Sequence, residues 1–393
     1  MGKLEELVQK YCPDGVEYVR LGDVLKVNRG KRLTKSQLSD DGQYPVYHGS
    51  KDTPLGKYTE FNVKGNTTIV VNTGGIGGVR FCADDFWCSD GSFWIGHSNL
   101  LNDRYVYYYL SPLEPYFASQ KRVGGVPTID RSVVENVEIP LPPLPVQEEI
   151  VRILDTFTEL QAELQAEQQK RLQQYNYYRE SILSFEGRSD VQWKKLGEIC
   201  SIKARIGWQR LNKSEYLATG DYYLVTGVDI RGTRVNFQSC YYVSKERYEM
   251  DTNIQLRNGD IILTKDGTIG KVALIENMDK PGVLNSHLFV IRDISGYLLA
   301  KYLMYILLSN HFQSFVNKNK TQGTIPGLNQ ATIVKFELPI PSLEEQERIV
   351  DILDKFDTLT NNLAAGLPAE IEKRRLQYEF YRDKLLTFKR KEA

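Results

Sequence analysis

The sequence predicts a pseudo-twofold tandem repeat in which two α/β (α+β) globular domains alternate with two long helices that pair as an antiparallel coiled coil. Three observations predict it. The stretch IPLPPLPVQEEIVRILDTFTEL from Ile139 returns as LPIPSLEEQERIVDILDKFDTL from Leu338, with twelve of twenty-two positions identical at an offset of 199. Behind each proline-rich lead, apolar residues recur at helical spacing, and between the leads lie β-branched runs that end in glycine-containing turns. Self-similarity at so long a period takes precedence over local readings of fold.

The repeat sets the boundaries at 1–139 for the first globular domain, 140–188 for the first helix, 189–338 for the second domain and 339–393 for the second helix. Ile150, Ile153, Phe157, Leu160 and Leu164 are spaced 3, 4, 3, 4, as are Ile349, Ile352, Phe356, Leu359 and Leu363. That spacing is the apolar seam of a coiled coil. Pro140, Pro142, Pro143 and Pro145 force an extended approach that continues neither a ladder nor a helix, so each helix is expected to start sharply behind its prolines. A helix from about Gln147 to Phe185 would be about 58 Å long at about 1.5 Å per residue. The similarity resumes as AEQQKRLQQYNYYRESILSF against AEIEKRRLQYEFYRDKLLTF at an offset of 203, so the second copy carries four extra residues before Leu367. Gly366 and Pro368 are expected to break or kink the helix there.

Within the domains, TTIVVN and DIILTK predict strands, each running into a turn, and YLLAKYLMYILLSNHFQSFVN (297–317) is apolar at helical spacing. The first turn, NTGGIGGVRF, has the look of a cofactor-binding glycine loop. No amphipathic helix follows it, and its counterpart KDGTIGKVAL keeps only a Gly-x-x-Gly frame. A tight turn between two strands is therefore the expectation.

Composition fits a soluble protein of two or more cores: 393 residues, 41% hydrophobic and 25% charged, without an apolar run of membrane-spanning length. No signal-peptide core opens the chain, so a cytoplasmic location without a membrane partner is expected. Five cysteines without a CxxC pair suit reduced thiols. There is no phosphate loop of the GxxxxGK[ST] type, no HExxH, no metal-ligand spacing and no Asn-Pro-Pro-aromatic tetrapeptide, and His48, His97, His287 and His311 stand apart from any recognisable nucleophile motif. A catalytic centre, a bound metal and a bound cofactor are not expected in this chain.

Formal net charge is zero, yet by segment it runs −1, −3, +5 and −1 for 1–139, 140–189, 190–338 and 339–393. Local fields, not the average, attract phosphate. NRGKRLTK places Arg29, Lys31, Arg32 and Lys35 in one loop, and KARIGWQRLNK answers with Lys203, Arg205, Arg210 and Lys213. A second pair of basic, polar loops, QKRVGGVPTIDR and NKNKTQGTIPGLN, brings Lys121, Arg122, Lys318 and Lys320, with Asn329 and Gln330 just beyond as candidate base readers. Such residues hold phosphates and read base edges in the major groove. A non-catalytic coiled-coil scaffold presenting two protein-binding modules is the alternative reading, and the duplicated basic loops argue against it.

These features resemble the DNA sequence-specificity subunit of type I restriction-modification systems. LPPLPVQEEIVRILD, IPSLEEQERIVDILD and QYEFYRDKLLTF carry the resemblance, with LGDVLKV, LGEICSI and DGTIGKV in the domains. Val146 departs from it, standing where the second copy has Glu345 before the glutamine. The resemblance implies two target-recognition domains, each reading half of a bipartite site in double-stranded DNA, and a helical spacer that sets the unread gap. It also implies two DNA methyltransferase (modification) subunits that carry S-adenosylmethionine chemistry on adenine, and restriction/translocase subunits that use ATP and Mg. The chain itself would supply the address and no catalysis.

Overall fold

In a computed structural model the described residues are 2–122, 124–205, 211–321, 326–361 and 367–392, with the side chains of 359–361 excepted. Contacts divide the chain into two compact units, residues 1–165 with 371–393 and residues 166–370.

The first unit is built on a four-stranded antiparallel sheet in the order Val27–Arg29, Ser92–Ile95, Thr67–Val71, Val79–Cys82. All five residues of Thr67–Val71 are buried, because this central strand is covered on both faces. A three-stranded sheet of Gly56–Tyr58, Tyr44–Tyr47 and Trp87–Cys88 adjoins it in sequence. The second unit repeats the plan with Cys200–Ala204, Leu288–Asp293, Ile261–Thr264 and Val272–Leu274, and extends the sheet by a hairpin, Ile230–Arg231 and Arg234–Val235. Each glycine stretch is a turn between antiparallel neighbours, as expected.

The helix expected over 297–317 is two helices, Ala300–Leu308 and Asn310–Asn319. Ser309 takes extended backbone between them and caps the second, its hydroxyl accepting from Phe312 N. The prolines also behave differently from expectation. Glu138–Pro140 pairs with Tyr18–Arg20, and Glu337–Ile340 with Gln192–Lys195, so Pro140 and Pro339 do sit in ladders. A two-stranded ribbon leaves each strand one side without a partner, where a missing N–H costs nothing. The proline carbonyls are used instead: Tyr105 donates to Pro140 O at 3.2 Å and Tyr302 to Pro339 O at 3.0 Å.

The first long helix, Leu144–Ile182, starts three residues before the expected position, with Pro145 in its first turn, where no intrahelical donor is needed. The second helical stretch is Leu343–Asn361 and Leu367–Leu385; the continuity question at residues 362–366 lies outside the described residues. Each start is fastened to its own domain by one buried amide. Gln147 donates to Leu100 O and Pro142 O and accepts from Asn102 N; Gln346 donates to Tyr297 O and Pro341 O and accepts from Leu299 N. Both glutamines are 0% exposed, so none of these bonds competes with water. Two turns on, Asp155 accepts from Tyr108 (2.5 Å) and Arg104 (2.8 Å), and Asp354 from Tyr305 (2.7 Å) and Lys301 (2.6 Å). Burial, with the facing Asp155, pushes the Tyr108 hydroxyl up to about 12, which keeps it a donor at any physiological pH.

The apolar face of each helix divides between two partners. Val146, Ile150 and Leu154 belong to the core of the first unit, and Ile349 and Leu353 to that of the second. The departure at Val146 is thereby explained, since this residue is 0% exposed. Ile153 joins the first core from its margin, and Phe157 stacks on Tyr381 at 5.6 Å and meets Tyr378. In the second unit Phe356 stacks on Tyr178 at 5.6 Å and meets Tyr175, with Ile352 half-buried beside it in sequence. Leu164 is half-buried, whereas Leu160, expected in the seam, is 44% exposed and drops out of it. Leu359 and Leu363 fall outside the described side chains.

All five cysteines are buried and free, and burial pushes the Cys82 thiol up to about 12. Among the described residues no helix is long and apolar enough to cross a membrane.

Candidate nucleic-acid interface

The turn after Thr67–Val71 closes through Gly77 N on Val71 O, with Gly74 and Gly77 at φ +81° and +87°. Neither angle suits a residue with a Cβ. The surrounding loops hang on this turn. Asn72 N donates to Gly91 O, Ile129 N to Asn72 O, and the Thr73 hydroxyl to Pro127 O at 3.2 Å. Gly75 N reaches Gly49 O, and Arg122 N reaches Thr128 O. Asn72 Nδ2 donates to Asp90 O at 3.1 Å, as does Arg29 Nε at 3.4 Å, while Lys31 N binds Cys88 O. The two basic loops singled out in the first copy therefore meet around the glycine turn at one end of the four-stranded sheet.

The second unit reproduces this junction. Gly270 N donates to Thr264 O, with Gly267 and Gly270 at φ +68° and +89°. Lys265 N donates to His287 O, Leu328 N to Lys265 O and Thr321 N to Gly327 O, and Asp266 bridges Gly327 as Thr73 bridges Thr128. Lys203 comes from the strand Cys200–Ala204, and Lys318 and Lys320 from the end of Asn310–Asn319. The second basic loop thus meets the turn here as well, and Lys203 lies in the edge strand paired with Leu288–Asp293.

Arg29, Lys31, Arg32, Lys35, Lys121, Arg122, Lys203, Lys213, Lys318 and Lys320 are all exposed. Arg122 is ion-paired with Asp130. Lys35 and Lys213 start equivalent short 3₁₀ turns, Lys35–Gln37 and Lys213–Glu215. One expectation needs correction, and another lies outside the described residues. Arg205 is 3% exposed, its Nε donates to Leu284 O, and burial is the main cause lowering its pKa; it ties the loop from inside and does not present charge. Asn329 and Gln330 are exposed, and each uses one end of its amide in the fold, Asn329 Oδ1 capping Thr332 N and Gln330 Nε2 donating to Ile202 O at 2.7 Å. They hold the junction together. Arg210 lies outside the described residues.

Residues missed in the sequence sit at the turn itself. Asp266 and His287 are 2.5 Å apart, and Thr73 occupies the place of Asp266 in the first unit. The available signal was the mismatch between NTGG and KDGT inside an otherwise repeated turn.

The family model described as the type I restriction modification DNA specificity domain matches residues 13–174 and again 188–373. The chain belongs to this family. Its duplicated architecture is accordingly that of a specificity subunit, the non-catalytic component of a type I restriction-modification system. It is 36% identical to the Escherichia coli type I restriction enzyme EcoR124I/EcoR124II specificity subunit, over 74% of this chain and 72% of the relative. With the MjaVIII specificity subunit of Methanocaldococcus jannaschii it shares 23% identity, over 88% and 87% of the two chains. In fold it is similar to the crystal structure of a type I restriction-modification S subunit from M. genitalium (TM-score 0.55, 17% identity, 95% and 96% covered). It is similar also to a chain from a structural study of complex assembly and conformational transition of the type I R-M system (TM-score 0.62, 18% identity, 95% and 98% covered).

Proposed function

We propose that this chain selects the DNA site of a type I restriction-modification complex, each domain reading one half of a bipartite duplex site from the loop end around its glycine turn. The observation that carries this reading is the duplicated junction, where the loops bearing exposed Arg29, Lys31 and Arg32 in one unit and Lys318 and Lys320 in the other adjoin the same turn geometry. Exposed cations on a rigid frame hold phosphates, and in this reading the turn between them meets base edges. The two long helices pair antiparallel as a spacer that sets the unread gap. S-adenosylmethionine chemistry, and ATP with Mg, belong to the partner subunits.

The test is charge reversal in the complex assembled with its methyltransferase. Lys31→Glu with Arg32→Glu is expected to weaken binding to the first half-site, and Lys318→Glu with Lys320→Glu to the second. Each pair should lower the slope of log K against log salt by about 2 if both residues touch phosphate. Unchanged affinity and slope would refute the interface, and retained assembly without DNA binding in the unaltered complex would favour the protein scaffold.

The spacer also docks two modification subunits in this reading. Tyr177 and Phe380 occupy the same repeat position and are 71% and 63% exposed, each edge-on to a neighbouring tyrosine that is itself stacked on a helix phenylalanine. Exposed aromatics on rigid helices are what a protein interface uses as anchors. Tyr177→Ala and Phe380→Ala are each expected to weaken one of two methyltransferase sites by roughly tenfold or more, lowering the stoichiometry seen by native mass spectrometry. Full two-site occupancy at nanomolar concentration in both variants would exclude these anchors.

A further inference from the structure

The glycine turns have the same backbone and different side chains. Thr73 and Asp266 stand at one position, defined by matching bridges to Thr128 and Gly327 and by matching closures on Val71 O and Thr264 O. Their side chains go different ways. The Thr73 hydroxyl is spent on Pro127 O, inside the junction. The Asp266 carboxylate has one oxygen held by His287 Nδ1 at 2.5 Å, and an ionised carboxylate can only accept, so the imidazole is the donor there. Its other oxygen takes no hydrogen bond from the described residues, and the side chain is 27% exposed.

An acid at this place is costly for a surface that meets phosphates, because it shares its end of the sheet with Lys203, Lys265, Lys318 and Lys320. What an aspartate can gain in a DNA groove is a hydrogen bond from a base amine. In the major groove only cytosine N4 and adenine N6 present such donors, and carboxylates characteristically accept from cytosine. Fixing one oxygen on His287 orients the other and removes rotamer freedom before contact, which sharpens discrimination.

We propose that Asp266 determines specificity in the second half-site by accepting, through its free oxygen, a hydrogen bond from an exocyclic base amine in the major groove. His287 is the positioning residue. The inference rests on the DNA-reading function above and adds to it the residue and the chemistry read. Guanine and thymine, which lack an outward amine on that edge, are rejected at this position.

The test is adenine-methylation sequencing of DNA from cells that express the chain with its methyltransferase subunit. Wild type should give a bipartite motif; if it gives none, the functional reading fails and Asp266 is not at issue. Given that motif, Asp266→Asn keeps the shape and the His287 contact but removes the charge and half of the accepting capacity. One position of the second half-site should then relax, with the first half-site and the gap unchanged. In binding assays with duplexes altered at that position, preference for the amine-bearing base over its replacement should fall roughly tenfold. Replacing cytosine by thymine, or adenine by guanine, tells which amine is read. An unaltered motif with unaltered discrimination overturns the proposal, as does uniform weakening across all sequences, which a merely structural role would produce. Should Asp266→Asn abolish methylation, Thr73→Asp in the first unit decides the matter. It should sharpen one position of the first half-site toward an amine-bearing base, and an unchanged first half-site overturns the inference.

Discussion

Gln346→Leu is expected to cost about 3 to 5 kcal/mol of stability. The side chain fits by volume, but Leu299 N, Tyr297 O and Pro341 O lose their partner at a position closed to water. Each buried group left unsatisfied costs about 1 to 3 kcal/mol, and relaxation of the loop at 297–299 recovers part of the sum. Gln147→Leu should behave alike, through Asn102 N, Leu100 O and Pro142 O. Urea unfolding followed by tyrosine and tryptophan fluorescence reads both. Because each glutamine serves only its own unit, each variant should shift one transition and leave the other in place. A shift below about 1 kcal/mol in both would show that water or a local rearrangement replaces the amide.

Removal of four residues from the first long helix is expected to change the DNA gap while leaving both half-sites as they are. The sequence offers a natural place, since LQAE occurs twice in succession, at Leu160–Glu163 and Leu164–Glu167. Four residues span about 6 Å and turn the helix by only about 40° beyond a full revolution, so the faces that carry Phe157 and Tyr175 stay in approximate register. Against the rise of about 3.4 Å per base pair, the gap in the methylation motif should shorten by one or two base pairs. An identical gap after deletion of one LQAE would refute the spacer as a ruler. Deleting two residues instead should impair assembly, because the two halves of the helix would then be turned by about 200° and face nearly opposite directions.

The repeat made the architecture legible. Periodicity located both helices, and the glycine turns were recognisable as turns because their second copies had lost the residues a cofactor loop requires. What the identical residues do was not legible. Gln147 and Asp155 look like ordinary exposed helix polar groups, and only the fold shows that their partners lie some fifty positions earlier, at Leu100, Asn102, Arg104 and Tyr108. Hydrogen bonds to backbone leave no pattern in the partner's sequence. The same blindness misplaced Arg205, whose side chain turns inward to Leu284 O although Lys203, two positions earlier, is exposed. Leu160 misled in the opposite sense, fitting the spacing while its side chain stays 44% exposed. In the loops, residue type pointed to charge but not to position, so Asp266 stayed hidden among lysines until the turn was seen to be the meeting point.

The paired glutamine and aspartate fastenings have a consequence for how such a chain can change. Each helix grips its domain through backbone carbonyls and amides, a proline carbonyl and a tyrosine hydroxyl, and the grip is the same in both copies. A socket made largely of main chain does not care which loops the domain carries at its far end. A genetic crossover within the helices can therefore install a foreign domain without remaking the joint, and under the proposed function new DNA words would become available by exchange of whole parts as well as by point mutation.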